Sequence, residues 1–288
     1  MEIIKAIFGF PARVLSYIQN HFKAMIFLLL LYFIFEPTTI PTELPNLAKI
    51  RLSGNIVSAE AILEKIDEVR KDETIKGALF IINSGGGAVA PSVEISRAIK
   101  RLNDSKPVVT YASGTLASGS YYAAINSSAI VANPGSLVGS IGVIMQGMNL
   151  AQLSQKVGVV TQTIKAGKFK EVGTTMRKWD PAEKAELKKV IDGTYNMFVR
   201  DVANARKLDV KNHTVFADAH IFTSDGALAV GLIDKVGVSY DAEELLVQIS
   251  GVKHAVFKQE DKFDKLIGKL NQEVHTFVLS LTQSLQLH

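Results

Sequence analysis

Thr115-Leu116-Ala117-Ser118-Gly119-Ser120-Tyr121-Tyr122 joins two kinds of pattern. Before it, Val108-Val109-Thr110-Tyr111-Ala112 is an apolar run of strand length; after it, Tyr121-Tyr122-Ala123-Ala124-Ile125 reads as helix. A serine between small residues at a strand-to-helix turn is well presented as a nucleophile. Small neighbours admit a substrate backbone, and a helix N-terminus offers free N–H groups and a positive dipole end to a developing oxyanion. Serine is also a preferred N-cap, and this stretch alone leaves both readings open.

Upstream, Leu47–Leu52 alternates and predicts a first strand. Ser58–Arg70 predicts an amphipathic helix capped by Ser58, and Gly77–Ile82 a strand buried on both faces. That strand runs into Asn83-Ser84-Gly85-Gly86-Gly87, ahead of a helix over Pro91–Leu102. A glycine run in this place suits a loop that brings backbone N–H groups against a ligand, and it also suits a flexible turn. It is not a P-loop, since no Gly-Lys-Ser/Thr comes after it.

Downstream come a short strand at Ala129–Ala132, a turn at Asn133–Ser136, and Leu137–Met148, apolar with interspersed glycines. A further strand is expected over Val159–Ile164, leading into Lys165–Gly173. The repeated strand–helix order predicts an α/β domain with a parallel sheet and crossover helices. If Gly167–Gly173 is extended, Lys168 and Lys170 share one face and Glu171 takes the other. A lysine used as a general base must be neutral; burial favours that state and a nearby carboxylate opposes it. Plain surface lysine is the competing reading.

Pro181–Arg206 predicts a long helix with Leu187, Val190, Ile191, Tyr195, Phe198, Val199 and Val202 as core. Ile221–Asp234 predicts a capped helix with Gly231 just past its end, and Ala242–Ile249 a helix capped by Asp241. Ala255–Phe257 reads as a last strand, and Phe263–Leu287 as a helix that docks on a neighbouring subunit, the membrane or a cleft.

Composition removes several classes. A hydrophobic share of 47% and Gly 21 in 288 residues fit a globular protein. The net charge of +4 is small and its lysines are scattered, so nucleic acid is not an expected partner. Cys 0 rules out disulfides, a cysteine nucleophile and thiolate metal sites. No His-Glu-x-x-His pattern is present, and no metal or cofactor is expected.

Ala24–Phe35 reads AMIFLLLLYFIF, preceded by Lys5, Arg13 and Lys23 and ended by Glu36-Pro37. Twelve apolar residues rise only about 18 Å as helix. Flanking Phe22 and Thr38–Ile40 extend the span, and no small-x-small cleavage site comes after it. The expectation is an uncleaved signal anchor with a cytoplasmic N-terminus; a cleaved signal peptide and a buried helix of a globular fold are the competing readings. The domain plan is therefore residues 1–37 for the cytoplasmic N-terminus and anchor, 38–46 for a proline-punctuated linker, 47–260 for the globular domain and 261–288 for a helical tail.

Several motifs in one order carry a family resemblance: Asn83-Ser84-Gly85-Gly86-Gly87, Ala117-Ser118-Gly119 with Tyr121-Tyr122, and Val131-Ala132-Asn133-Pro134. Gly139-Ser140-Ile141-Gly142, Gly167–Gly173 and Gly226–Asp234 continue the series. Over roughly residues 47–240 the chain resembles the signal peptide peptidase A (protease IV) family of membrane-anchored serine proteases. The resemblance implies a Clp/crotonase-like fold and a Ser–Lys dyad, with Ser118 as nucleophile and Lys170 as general base; Lys168 lies two residues early for the motif. It implies an oxyanion hole from the N–H of Gly119 and one from Gly86 or Gly87. It further implies signal peptides or other extended apolar peptides as substrates, homo-oligomers that complete the active-site chamber, and a bacterial inner-membrane location with the catalytic domain outside the cytoplasm. Two positions depart from the family pattern: Ser120 replaces a glycine, and Gly85 replaces a proline. Three rival readings are a crotonase-like acyl-CoA enzyme, a catalytically inert membrane scaffold, and a Ser–His–Asp hydrolase using His220 and Asp218.

Overall fold

A computed structural model describes residues 17, 19–28, 31 and 44–258. The chain divides into two compact units, Met1–Leu44 and Pro45–His288. In the first, the described residues from 17 to 31 are helical. Among the described residues no helix is long and apolar enough to cross a membrane. Half of the Ala24–Phe35 run (29, 30 and 32–35), the linker residues 38–43 and the tail 261–288 lie outside the described residues.

The second unit is built on a sheet whose strands alternate between two cores. Strands β1 (Leu47–Ser53), β2 (Gly77–Ser84) and β3 (Val108–Ala117) pair in parallel, and β4 (Ala129–Ala132) extends the sheet beyond β3. Successive side chains point to opposite faces. Ala78, Phe80 and Ile82 of β2 accordingly join the larger core, while Leu79 and Ile81 join the smaller one. The larger core is covered by α1 (Glu60–Lys71), α2 (Val89–Asn103), α3 (Gly119–Ala124) and the end of a later long helix. A C-terminal helix (Ser239–Ser250) covers the smaller core through Ala242 and Leu246. Burial on both faces explains why β2 and β3 read as continuous apolar runs.

β3 changes neighbour along its length. Its first half pairs with β4, from Val109–Ala129 to Ala112–Ala132. The register with β2 then jumps from Ile82–Ala112 to Ser84–Leu116, so β3 carries extra residues there. Beyond that irregularity it pairs with β5 (Leu137–Gly139). The Asn83 side chain bridges the irregularity by accepting the Thr115 N–H at 3.0 Å. Inserted residues bend a strand and re-aim the chain beyond them; here they direct the end of β3 toward Ser118.

Chain order continues with α4 (Ala151–Lys156), α5 (Pro181–Arg206), β6 (Ile221–Thr223), α6 (Ser224–Ala229), β7 (Lys235–Val236) and α7 (Ser239–Ser250). The start of α5 is written in its sequence. Pro181 occupies the first turn, the Asp180 carboxylate accepts the Glu183 N–H at 2.8 Å, and the Glu183 carboxylate accepts the Asp180 N–H at 2.9 Å.

Several expectations are corrected. The first helix is capped at Ala59, and Ser58 Oγ instead accepts from Glu60 N–H at 3.3 Å. The sheet is not wholly parallel, because β5 and β6 are antiparallel. Val159–Ile164 forms no strand: it has no partner to complete a ladder, and Val160 is 80% exposed. Ala255–Phe257 contributes a single bridge, Phe257 to Leu47. In α5 the buried apolar side chains, Phe198, Val199, Val202 and Ala203, all lie in the C-terminal part, and Val190 is exposed.

Tyr121 is fully buried and donates to the Leu232 carbonyl at 2.7 Å, tying α3 to the segment before β7. Tyr121→Phe should cost about 1–2 kcal/mol by leaving that carbonyl unpaired, read as a thermal midpoint lowered by several degrees.

Candidate active site

Ser118 sits between β3 and α3 with φ 53° and ψ −125°, outside the regions that non-glycine residues usually occupy. Backbone bonds hold it there: its N–H donates to Gly139 O at 2.8 Å, and its C=O accepts from Tyr122 N–H at 3.0 Å. Its side chain makes no capping bond to α3, so the N-cap reading does not account for the serine. Ser118 instead lines a cavity of about 300 Å³. Ser140 (φ 49°) and Ala219 (φ 58°) line the same cavity. Backbone strain of this kind costs about 1–3 kcal/mol per residue and gathers at functional sites.

The glycines work by close approach. A Cβ on Gly86 (φ 96°) would lie 2.5 Å from Gly119 N and 2.9 Å from Ser118 Cβ. A Cβ on Gly119 would lie 2.3 Å from Ser92 Oγ and 3.2 Å from Gly87 N. The glycine loop is therefore pressed backbone-first against the start of α3, not loose beside it. The two candidate donors in the loop differ. Gly86 N–H is already taken by Ser84 Oγ at 3.1 Å. Neither Gly87 N–H nor Gly119 N–H donates to any acceptor among the described residues.

The two departures from the family pattern resolve differently. Ser120 is fully buried and points away from the cavity. Its hydroxyl donates to Ser84 O at 2.6 Å, lies 2.9 Å from Ala117 O and accepts Ala117 N–H at 2.9 Å, pinning the end of β2 to the Ser118 turn. Gly85 has open space where a Cβ would go.

The cavity wall is largely apolar: Val89 and Val93 of α2, Tyr122 of α3, Val143 and Ile144, and Met197 and Phe198 of α5. Tyr122 stacks edge-on against Phe198, with ring centroids 5.0 Å apart, and its hydroxyl donates to Asp201. Burial, and then the Asp201 carboxylate, push the Tyr122 phenol well above its ordinary value, so it stays a neutral donor. The spacing that marked α5 as core also carries these lining residues, and nothing in the sequence distinguished the two roles.

Lys170 is not among the residues that line this cavity. Its segment is a series of turns rather than an extended strand: Lys170 N–H donates to Gly167 O at 3.3 Å, Val172 N–H to Phe169 O at 3.1 Å and Thr174 N–H to Glu171 O at 3.1 Å. Lys170 Nζ is exposed and makes no ion pair among the described residues. Lys168 Nζ lies over the Phe169 ring, 5.2 Å from its centroid. His220 is exposed beside Phe222 and does not line the cavity. One chain thus brings together Ser118, Gly119, Gly86 and Gly87, and does not bring Lys170 to them.

Residues 100–253 match the sequence model of peptidase family S49. A protein named as a candidate protease in Methanocaldococcus jannaschii is 39% identical over 196 residues, covering 68% of this chain and 63% of its own. A protein named as a candidate signal peptide peptidase in Enterococcus faecium is 32% identical over 185 residues, covering 64% of this chain and 54% of its own. The chain therefore spans between half and two thirds of those relatives. A solved membrane-bound stomatin-specific protease, with a lysine replaced by alanine and in complex with a substrate peptide, superposes with a TM-score of 0.52 at 16% identity. It covers 79% of this chain and 98% of its own. At that identity the likeness establishes the fold, the Clp/crotonase-like α/β arrangement expected from the sequence.

The close approaches predict a graded response. Gly85→Ala should leave stability within about 1 kcal/mol of the parent. Gly86→Ala and Gly119→Ala, whose added methyl meets backbone or a buried hydroxyl, should lower the chemical-denaturation midpoint clearly further.

Proposed function

Because the chain belongs to peptidase family S49, we propose that it is a serine endopeptidase in which the Ser118 hydroxyl attacks the scissile carbonyl and neutral Lys170 takes its proton. The tetrahedral oxyanion is held by the N–H groups of Gly119 and Gly87. Each donor aimed at such an oxyanion is worth about 3 kcal/mol of barrier. The intermediate collapses, the leaving amine takes the proton from the Lys170 ammonium, and water then hydrolyses the Ser118 acyl ester by the same route. The observation that carries this reading is the Ser118 turn: a strained serine that lines the cavity, beside two backbone N–H groups that lack acceptors among the described residues. The solved relative, in which a lysine-to-alanine form holds a substrate peptide, supports a lysine in the mechanism.

Lys170 reaches Ser118 in an assembly of several copies. The segment that carries it exposes an unusual run of large apolar side chains, among them Ile144 (81% exposed), Met148, Val160 and Ile164. Large apolar side chains left exposed in such number suit an interface, and covering them also dries the neighbourhood of the lysine, favouring the neutral base. Substrates are extended apolar segments such as spent signal peptides, in keeping with the Val89, Val93, Met197 and Phe198 wall. The Ala24–Phe35 run tethers the enzyme to the bacterial inner membrane, with the catalytic unit on its outer side.

Cleavage of a signal-peptide-like peptide should fall by about 10⁴-fold or more in both Ser118→Ala and Lys170→Ala, with fold and assembly unchanged, while Lys168→Ala stays within a few-fold of the parent. Undiminished turnover in Ser118→Ala, or in Lys170→Ala, removes the dyad. Activity should rise with pH as the base loses its proton; a flat profile from about pH 6 to 9 with chemistry limiting counts against it. The full chain should sediment with membranes and resist carbonate extraction.

A further inference from the structure

Lys170 precedes a carboxylate, which is poor company for a general base: a neighbouring negative charge favours the ammonium form. The structure deals with that carboxylate in a specific way. Glu171 is held by Lys165 Nζ at 2.9 Å and Arg177 Nη2 at 3.1 Å, with Thr163 Oγ1 at 3.4 Å. Arg177 in turn bonds both oxygens of Glu183, Nη2 to Oε1 at 2.6 Å and Nη1 to Oε2 at 2.8 Å. Glu183 closes the capping box at the start of α5. A chain of charge-assisted bonds thus runs from the residue after Lys170 to the N-terminus of a long helix, and its far end at Glu183 is buried.

We propose that Glu171 is the positioning residue of Lys170: gripped by Lys165 and Arg177, it ties the lysine's turn to the N-terminus of α5 while its charge is spent on partners other than the base. The inference rests on Lys170 being the base. Charged groups around Glu171 are Lys165 and Arg177 in contact, Glu183 across Arg177, and Lys168, Lys178 and Asp180 nearby in the chain. Lys165 and then Arg177 hold the Glu171 carboxyl below its ordinary range, so the anchor is charged throughout the working pH range. Arg177 likewise brings Glu183 down to about 2. Both carboxyls are lowered, so their contribution is present above the ordinary carboxylate range and is lost only as pH falls through their native values.

The test reads the pH–rate profile of the full-length protein on a signal-peptide-like peptide. Lys165→Met and Arg177→Met each leave Glu171 less balanced, so the midpoint should move to higher pH; Glu171→Gln removes a negative charge, so it should move to lower pH. Each shift should be about half a unit, a roughly threefold change in rate on the acid limb. Arg177→Lys should restore the midpoint that Arg177→Met displaces. Lys165 is exposed, so Lys165→Met keeps the test valid if Arg177→Met fails to fold. Lys188→Met, which cuts an exposed pair on α5, should shift nothing. Opposite shifts, with kcat lowered more than KM is raised, support the proposal. Loss of activity with unmoved midpoints, or shifts of one sign in all three variants, overturns it. Full activity in Lys170→Ala overturns the base assignment itself, and is distinguishable from both.

Discussion

The site depends on two strand ends meeting without side chains between them. β2 ends in the glycine loop and β3 in Ser118, and the two backbones are so close that a single added methyl on Gly86 or Gly119 has no room. Close approach is what leaves Gly87 N–H and Gly119 N–H side by side with no acceptor among the described residues. Unpaired backbone donors near a protein interior are costly, so the surroundings must over-determine the arrangement. They do so through Ser120, which clamps Ser84 O to Ala117, through Asn83, which spans the β3 irregularity, and through Gly139, which receives the Ser118 N–H.

Ser120 shows how a departure from a pattern can be absorbed. A glycine here would leave Ser84 O and Ala117 N–H to find other partners. The serine supplies one donor and one acceptor at that point, buried and away from the cavity. Gly85 is the opposite case, a position where a side chain has room. The loop keeps its shape through Gly86 and the bridge from Gly87 to Ile56, which do not involve Gly85.

What was legible in the sequence tracks what the core enforces. β1 to β4, α2 and the C-terminal part of α5 announce themselves, because burial on one or both faces writes a period into the residues. Ser118 and the glycines were legible because close approach restricts residue type severely. Val159–Ile164 misled for the same reason in reverse: its apolar content looked like burial within the chain, yet the chain leaves it exposed. Thr194, Met197 and Phe198 were hidden because a residue that lines a cavity and one that fills a core share the same helical spacing. The turns around Lys170 are held by charge pairs six residues apart, and no periodic pattern reports those.

The separation of Ser118 from Lys170 then has a consistent physical logic. Everything that builds the Ser118 turn lies in the tightly packed sheet, and a strained turn needs a rigid frame. The lysine rides on an outlying segment held by ion pairs and bearing exposed apolar side chains. Each such side chain is worth about 1.5–3 kcal/mol when fully covered, so on the proposed mechanism the energy that brings the base into place comes from association. On that mechanism an isolated chain presents Ser118 in its cavity without the lysine beside it. The proposed mechanism thereby couples reactivity to assembly, through covering of the exposed apolar side chains around Ile144 and Val160.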